Sequence, residues 1–159
     1  MIRPTLTDFD SQLLTELVSG YSGTPLFKKL GVKEGLVVCT SRPPENFGEA
    51  LGELPSGAVL CHEFDDADLF VLFATESKVL IEDFRKAMTL IPSNGAIWVA
   101  WPKKSSGVST DLTEDVMREL FLPTGMVDSK VCAIDAVWSG LRFVVRKENR
   151  PSWHRSAKR

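Results

Sequence analysis

Short unbroken runs of apolar residues alternate along the chain with segments in which apolar residues recur at helical spacing. Unbroken runs of this length are typical of strands that are buried on both faces. They predict strands at residues 36–40, 69–75 and 96–101, and the segment AVLCHEF predicts a further strand at 58–64. The helical segments predict short helices at 24–30 and 45–54 and longer ones at 76–91 and about 111–122. Such alternation favours a mainly parallel sheet with helices on both faces.

The last part of the chain follows a different pattern. Residues 126–135 and 139–147 each alternate apolar and polar side chains, which is typical of strands with one solvated face. They predict an antiparallel hairpin, joined at Ala136 to Trp138, that closes one edge of the sheet. We therefore expect an α/β, Rossmann-like fold with four parallel strands and an antiparallel C-terminal hairpin.

The chain length allows one domain with a sizeable core, because it has 159 residues of which 43% are hydrophobic. Residues 1–20 predict an N-terminal helical extension, with leucines and a valine at helical spacing. Residues 21–147 are expected to form the Rossmann-like domain, and residues 148–159 a basic C-terminal tail.

Charge is unevenly distributed along the chain. Residues 142–159 carry seven Lys and Arg against one Glu, whereas residues 1–141 carry twelve against twenty acidic residues. A basic end can contact nucleic acid, but the acidic body makes nucleic acid the least favoured partner. No apolar run approaches the ~18 residues of a membrane helix and the N-terminus lacks a signal-peptide pattern, so we expect a cytoplasmic protein without membrane contact.

Cysteine and histidine usage points away from disulfide and metal chemistry. Cys39, Cys61 and Cys132 lie inside apolar runs, in odd number and without a CxxC pair, so we expect core thiols. His62 and His154 are too few to predict a metal site. Hydrolase, kinase and zinc-enzyme motifs such as GxSxG, a phosphate loop or HExxH are absent from the sequence.

The most informative segment leads from the fourth predicted strand through a cationic loop into the next helix. Its candidate ligand-binding residues are Trp101, Lys103, Lys104, Ser105, Ser106, Gly107 and Thr110. Lysines, hydroxyls and backbone N–H groups there converge at the carboxyl end of a strand, where ligands collect in α/β sheets. Asp111 and Glu114 fit a capping box, and a carboxylate at that helix start competes with an external anion. The loop is either an anion or substrate site, or else a structural turn or a patch that faces a partner.

Two resemblances accompany these patterns. The segments GVKEGLVVCT, ADLFVLFA and FRKAMTLIPSNGAIWVAWP, within about residues 32–146, resemble class I methyltransferase-like Rossmann domains. The segments YSGTPLFKKLG (21–31), WPKKSSGVSTDLTEDVMRE (101–119) and VDSKVCAIDAVWSGLRFVVR (127–146) resemble a family of uncharacterised bacterial proteins, a domain of unknown function. The second resemblance supports the fold and implies no activity.

The methyltransferase resemblance implies S-adenosylmethionine as cofactor, with Glu63 in the place of the acid that contacts its ribose. The sequence departs from that family after the first strand. Residues 40–47 contain no glycine, and Pro43 and Pro44 lack the N–H groups that a cofactor loop donates. The third strand is followed by Ala74-Thr-Glu-Ser77 instead of the Asn/Asp-Pro-Pro-aromatic signature of amino methyltransferases.

Three functional hypotheses follow. The favoured one is a binding or regulatory module, which takes a small anionic ligand or a protein partner on the loop around Lys103 and Lys104. An enzymatic activity is less favoured and would be methyltransferase-like. The alternative is a divergent S-adenosylmethionine-dependent methyltransferase that uses Glu63. The third is contact with nucleic acid through the basic tail.

Overall fold

Six strands form a single sheet in the computed structural model, which describes residues 24–153. The strands are β1 (Val37–Ser41), β2 (Val59–Cys61), β3 (Leu69–Phe73), β4 (Ala96–Pro102), β5 (Met126–Ala133) and β6 (Trp138–Val145). The helices are α1 (Leu26–Leu30), α2 (Phe47–Leu51), α3 (Ser77–Met88) and α4 (Glu114–Phe121). The helix predicted within residues 1–20 lies outside the described residues.

The strand order is β2-β1-β3-β4-β6-β5. The first four strands pair in parallel, and β6 then runs antiparallel to both β4 and β5. This confirms the predicted Rossmann-like sheet with its antiparallel hairpin at one edge. It also places the carboxyl ends of the four parallel strands at the same end of the sheet.

The core has two halves, one on each face of the sheet. Helices α3 and α4 cover one face, where the Phe84 ring stacks on Phe121 with centroids 3.9 Å apart and Phe143 meets both edge-on. Helices α1 and α2 cover the other face, where Trp98 donates its indole N–H to the carbonyl of Leu30 at 2.9 Å. Each fully buried large apolar side chain contributes about 1.5–3 kcal/mol, so both faces stabilise the sheet.

Strand β2 is shorter than predicted. The segment AVLCHEF predicts a strand from residue 58 to Phe64, but pairing with β1 ends at Cys61. Beyond that point the Phe64 ring stacks on Phe70 of β3, with centroids 5.7 Å apart. Phe64 is therefore apolar because it packs on the sheet, although it lies beyond the paired strand.

The three cysteines are free. Cys39 and Cys132 are buried and Cys61 is half-buried. Burial raises the pKa of the Cys39 thiol to about 11, so this side chain is a neutral core group at physiological pH.

The described part of the predicted C-terminal tail packs against the domain. Residues Lys147–Ser152 form 3-10 turns, and Asn149 donates its side-chain amide to the carbonyl of Gly125 at 2.9 Å. Arg150 donates to the carbonyl of Val145, and the Trp153 indole donates to that of Ile91 at 3.2 Å. Through Trp153, therefore, the chain is attached to the body of the domain.

We predict that Gly95→Ala destabilises the protein, because an added Cβ would lie 2.9 Å from both the Asp68 carbonyl oxygen and the Ile91 Cβ. Backbone and core would have to shift, at a cost of about 1–3 kcal/mol in the free energy of unfolding. Urea denaturation measures this loss. The control is Gly48→Ala in α2, where an added Cβ meets nothing within 4 Å. Equal stability of the two variants would contradict the described packing at the start of β4.

Candidate functional site

The order of the parallel strands reverses at β1. The chain moves outward from β1 to β2 and then returns to the other side of β1 to form β3. In open α/β sheets, ligands bind outside the carboxyl ends of the strands at such a switch point. The candidate site is therefore the crevice between the end of β1, at Ser41 and Arg42, and the end of β3, at Ala74 and Thr75.

A buried carboxylate holds the turn that follows β1. Asp83, in α3, is 2% exposed, and its Oδ2 accepts hydrogen bonds from the Ser41 hydroxyl and the Arg42 Nε, each at 3.1 Å. The Arg42 side chain itself is 57% exposed. The Nε of this guanidinium is thus fixed to the protein, while more than half of the side chain is exposed.

The backbone at Arg42 adopts a left-handed conformation, with φ of 56°. Within residues 24–153 no other residue except glycine has a positive φ. This conformation costs an ordinary residue about 1–3 kcal/mol and persists where the surroundings hold it, often at functional sites. The turn after β1 is therefore made by an arginine that is tied to Asp83. Its backbone has a conformation that glycine, the usual residue of a cofactor loop, adopts more readily.

The cationic loop after β4 is an ordered turn. Residues Lys104–Ser106 form a 3-10 turn, and Gly107 closes it in the left-handed conformation. The Ser106 hydroxyl donates to the Lys103 carbonyl and accepts from the Val108 N–H, so it is engaged within the turn. The Lys103 N–H donates to the carbonyl of Val137 in the β5–β6 connection at 2.7 Å. Lys104 and Ser105 are exposed.

The end of this loop is bound to the start of α3. The Thr110 hydroxyl donates to the carbonyl of Thr75 at 2.6 Å. Asp111 accepts from both the backbone N–H and the hydroxyl of Ser77, at 2.8 and 2.7 Å. Both bonds lower the pKa of Asp111, and the bond from the Ser77 hydroxyl has the larger effect. A carboxylate at a helix N-terminus is also favoured by the helix dipole.

The predicted capping box at Asp111 and Glu114 is wrong. Helix α4 begins at Glu114, and the Thr113 side chain caps it by accepting from the Val116 N–H at 3.1 Å. Asp111 is drawn away because it caps α3, a contact across 34 positions of sequence that a local pattern does not reveal. The acidic residues of the first turn of α4 still favour its N-terminus.

The remaining predicted residues lie apart from the loop. Trp101 is 7% exposed and packs in the core on the α3 and α4 face, opposite Trp98. Glu63 is exposed and follows β2, which ends level with Cys39 of β1. Glu63 thus lies on the far side of β1 from the crevice formed with β3.

Two open grooves at the carboxyl ends are acidic. One, of about 660 Å³, lies beyond β3 and is lined by Glu76, Asp111 and Lys78 among others. The other, of about 610 Å³, lies at the turn after β1 and is lined by Glu45, Asn46 and Glu49. Four carboxylates against one ammonium group favour a cationic or neutral ligand over an anion.

Sequence reasoning missed Asp83, although a signal was present. Asp83 falls three residues after Leu80 and four before Ala87, both on the buried face of α3. A carboxylate inside an apolar helical stripe needs hydrogen-bond donors, and it therefore indicates a structural or functional cluster.

No protein-family model and no curated protein matches the sequence. A SAM-dependent methyltransferase from Aquifex aeolicus is similar in structure, with 12% identity, a TM-score of 0.50, and coverage of 76% of this chain and 88% of that one. A Sulfolobus solfataricus protein assigned to the type 11 methyltransferases has 10% identity and a TM-score of 0.51, covering 87% and 92%. The fold is that of methyltransferase-like Rossmann domains.

A third neighbour, described as a possible exported protein from Bordetella parapertussis, has 10% identity and a TM-score of 0.51 over 76% of this chain and 65% of that one. At such identities the likeness defines the fold alone. The hypothesis of a binding or regulatory module is nevertheless wrong, because the neighbours described as methyltransferases favour the methyltransferase alternative. The acidic grooves also disfavour a small anionic ligand there.

No helix among residues 24–153 is long and apolar enough to cross a membrane. The same part of the chain contains no group of three or more His, Cys, Asp or Glu side chains placed to hold a metal ion.

We predict that Asp83→Ala lowers the free energy of unfolding by about 1–3 kcal/mol, because Ser41 and Arg42 lose their shared acceptor. Chemical denaturation measures the loss. Glu82→Ala, at an exposed position of the same helix, should stay within about 0.5 kcal/mol of the parent. Equal losses in the two variants would show that Asp83 does not hold the turn.

Proposed function

We propose that this chain is a divergent S-adenosylmethionine-dependent methyltransferase domain, with its cofactor lying across the carboxyl ends of β2, β1 and β3. The observation that carries the proposal is the switch point at β1, whose left-handed exit turn is held by the buried Asp83. The likeness in fold to a SAM-dependent methyltransferase supports it.

The residues present fit the cofactor by a route that differs from a glycine-rich loop. The left-handed Arg42 supplies the tight turn, and its partly exposed guanidinium would pair with the carboxylate of the methionine moiety. Glu63 would accept hydrogen bonds from the ribose hydroxyls. Since Pro43 and Pro44 donate no backbone N–H, these side chains would carry a larger share of the affinity.

The cofactor supplies an electrophilic methyl group on a positively charged sulfur when it is bound. The carboxylates of Glu45, Glu49 and Glu76 give the carboxyl ends a negative potential that suits this charge. The groove beyond β3, beside Thr75 and Glu76, would hold the methyl acceptor. Its acidic lining favours a neutral or cationic acceptor, such as an amine.

The proposal also concerns the two segments that resemble an uncharacterised bacterial family, residues 101–119 and 127–146. The first segment forms the ordered loop and most of α4, and the second forms the closing hairpin. The two segments meet where the Lys103 N–H donates to the Val137 carbonyl. We propose that the first segment forms one wall of the acceptor groove, through Thr110 and Asp111.

We predict that the full chain binds S-adenosylmethionine and that Glu63→Ala weakens binding by about tenfold or more, since hydrogen bonds to a charged group contribute about 1.5–3 kcal/mol. Isothermal titration calorimetry measures both affinities. Glu34→Ala is the control, because Glu34 is an exposed carboxylate before the start of β1. No binding by the parent protein, or equal weakening in the two variants, would refute the assignment.

A further inference from the structure

A second concave surface lies at the opposite end of the sheet, beside the amino-terminal ends of β1, β3 and β4. This amino-end pocket has a volume of about 370 Å³. Its ionisable lining residues are Lys28, Lys29, Lys33, Asp68, Lys130 and Arg142. The volume is within the range of small-molecule sites. Helix α1 forms one wall, and the hairpin of β5 and β6 forms the other.

The charge of the amino-end pocket is strongly positive, with five cations against one carboxylate. That carboxylate is already engaged, because Asp68 Oδ2 accepts from the Val37 N–H at 2.9 Å and so joins the starts of β1 and β3. Among residues 24–153, no salt bridge involves Lys28, Lys33, Lys130 or Arg142. The like charges of these four side chains repel one another, and a bound anion relieves that repulsion.

Hydrogen bonds hold several of these cations in place. Lys29 donates from Nζ to the Ala133 carbonyl at 3.0 Å, and Lys130 donates to the Lys29 carbonyl at 3.1 Å. Arg142 donates from its guanidinium to the Ser129 hydroxyl at 3.1 Å. Burial lowers the pKa of both Lys29 and Arg142. These cations have lost part of their hydration, so an anion that reaches them gains more than it would at an exposed lysine.

We propose that the amino-end pocket binds a small ligand that carries two or more phosphate groups. One phosphate group carries only about −1.5 to −2 charges, whereas the pocket has four cations in excess of its carboxylate. Lysines act as point charges toward phosphate oxygens, and the planar guanidinium of Arg142 can contact two of them. The site is separate from methyl transfer, because the seven residues of β4 put about 20 Å between the two ends of the sheet.

The concave shape favours a small ligand over a nucleic-acid strand. The cations converge on one cavity between α1 and the hairpin, whereas a strand would need a basic groove that follows its backbone. The carboxyl-end grooves, in contrast, are lined mainly by carboxylates, so they would repel a polyanion that extended along the sheet.

Calorimetric titration of the full chain with inorganic tripolyphosphate and with ADP tests the proposal. The double variant Lys28→Glu with Lys33→Glu, at two exposed positions, should lower the affinity for both ligands by about tenfold or more. It removes two attractive charges and adds two repulsive ones. The milder Lys28→Gln with Lys33→Gln should weaken them by a smaller factor and guards against misfolding. Arg85→Glu with Lys147→Glu is the matched control, since it makes the same change in net charge at exposed positions outside the pocket.

Binding that is lost in the pocket variants and kept in the control supports the site. Equal weakening in pocket and control variants would mean attraction by net charge alone and would overturn it. Absence of binding at millimolar tripolyphosphate would overturn it as well. A single-stranded RNA oligonucleotide is the last probe. If it binds more tightly than either small ligand, and the same pocket variants lose that binding, the pocket binds a nucleic-acid strand and the proposal of a small ligand is overturned. S-adenosylmethionine affinity in the pocket variants is a separate readout of the cofactor site.

Discussion

Strands β3 and β4 are buried on both faces, and the rest of the domain depends on that constraint. Every residue of both strands is buried, so neither face can be left to water. Helices α1 and α2 cover one side, while α3 and α4 cover the other. Since both faces are covered, concave surfaces between elements are confined mainly to the two ends of the strands, and the candidate sites are found there.

The two ends differ in charge and in the way that they are built. At the carboxyl ends, Asp83 reaches up from α3 to hold Ser41 and the left-handed Arg42, and the nearby grooves are acidic. At the amino ends, Asp68 joins β1 to β3 and the surrounding side chains are basic. A cationic cofactor and a polyphosphate would therefore be directed to opposite ends of one small sheet by simple electrostatics.

Most of the fold could be predicted from the sequence because its signals are local. The unbroken run at 69–75 and the alternation after Met126 are set by burial on two faces or on one, and both strand types formed as expected. The errors arose where a distant contact decided the outcome. Phe64 was predicted to lie in the second strand, but it packs on Phe70 beyond the end of that strand. Asp111 precedes α4, but it caps α3 through Ser77.

The candidate site could be predicted only in part, for the same reason. Glu63 and the loop around Lys103 were visible as local patterns, and the structure places each near the carboxyl ends of strands. The amino-end pocket was not visible, because its cations come from residues 28–33 and from the hairpin of β5 and β6, two segments more than 90 positions apart in sequence. The anion-binding hypothesis considered the lysines of one loop without Glu76, which the fold brings beside Thr110 and Asp111 at the end of that loop.

Amide chemical shifts during titration with S-adenosylhomocysteine test the central claim most directly, because they locate the ligand on the fold. Binding at the carboxyl ends predicts saturable shifts of the amides of Ser41, Arg42, Glu63 and Thr75, with those of Lys33 and Asn94 at the other end of the sheet unchanged. Shifts confined to Lys33 and Asn94, or none at saturating concentrations, would contradict the assignment of a methyltransferase cofactor site.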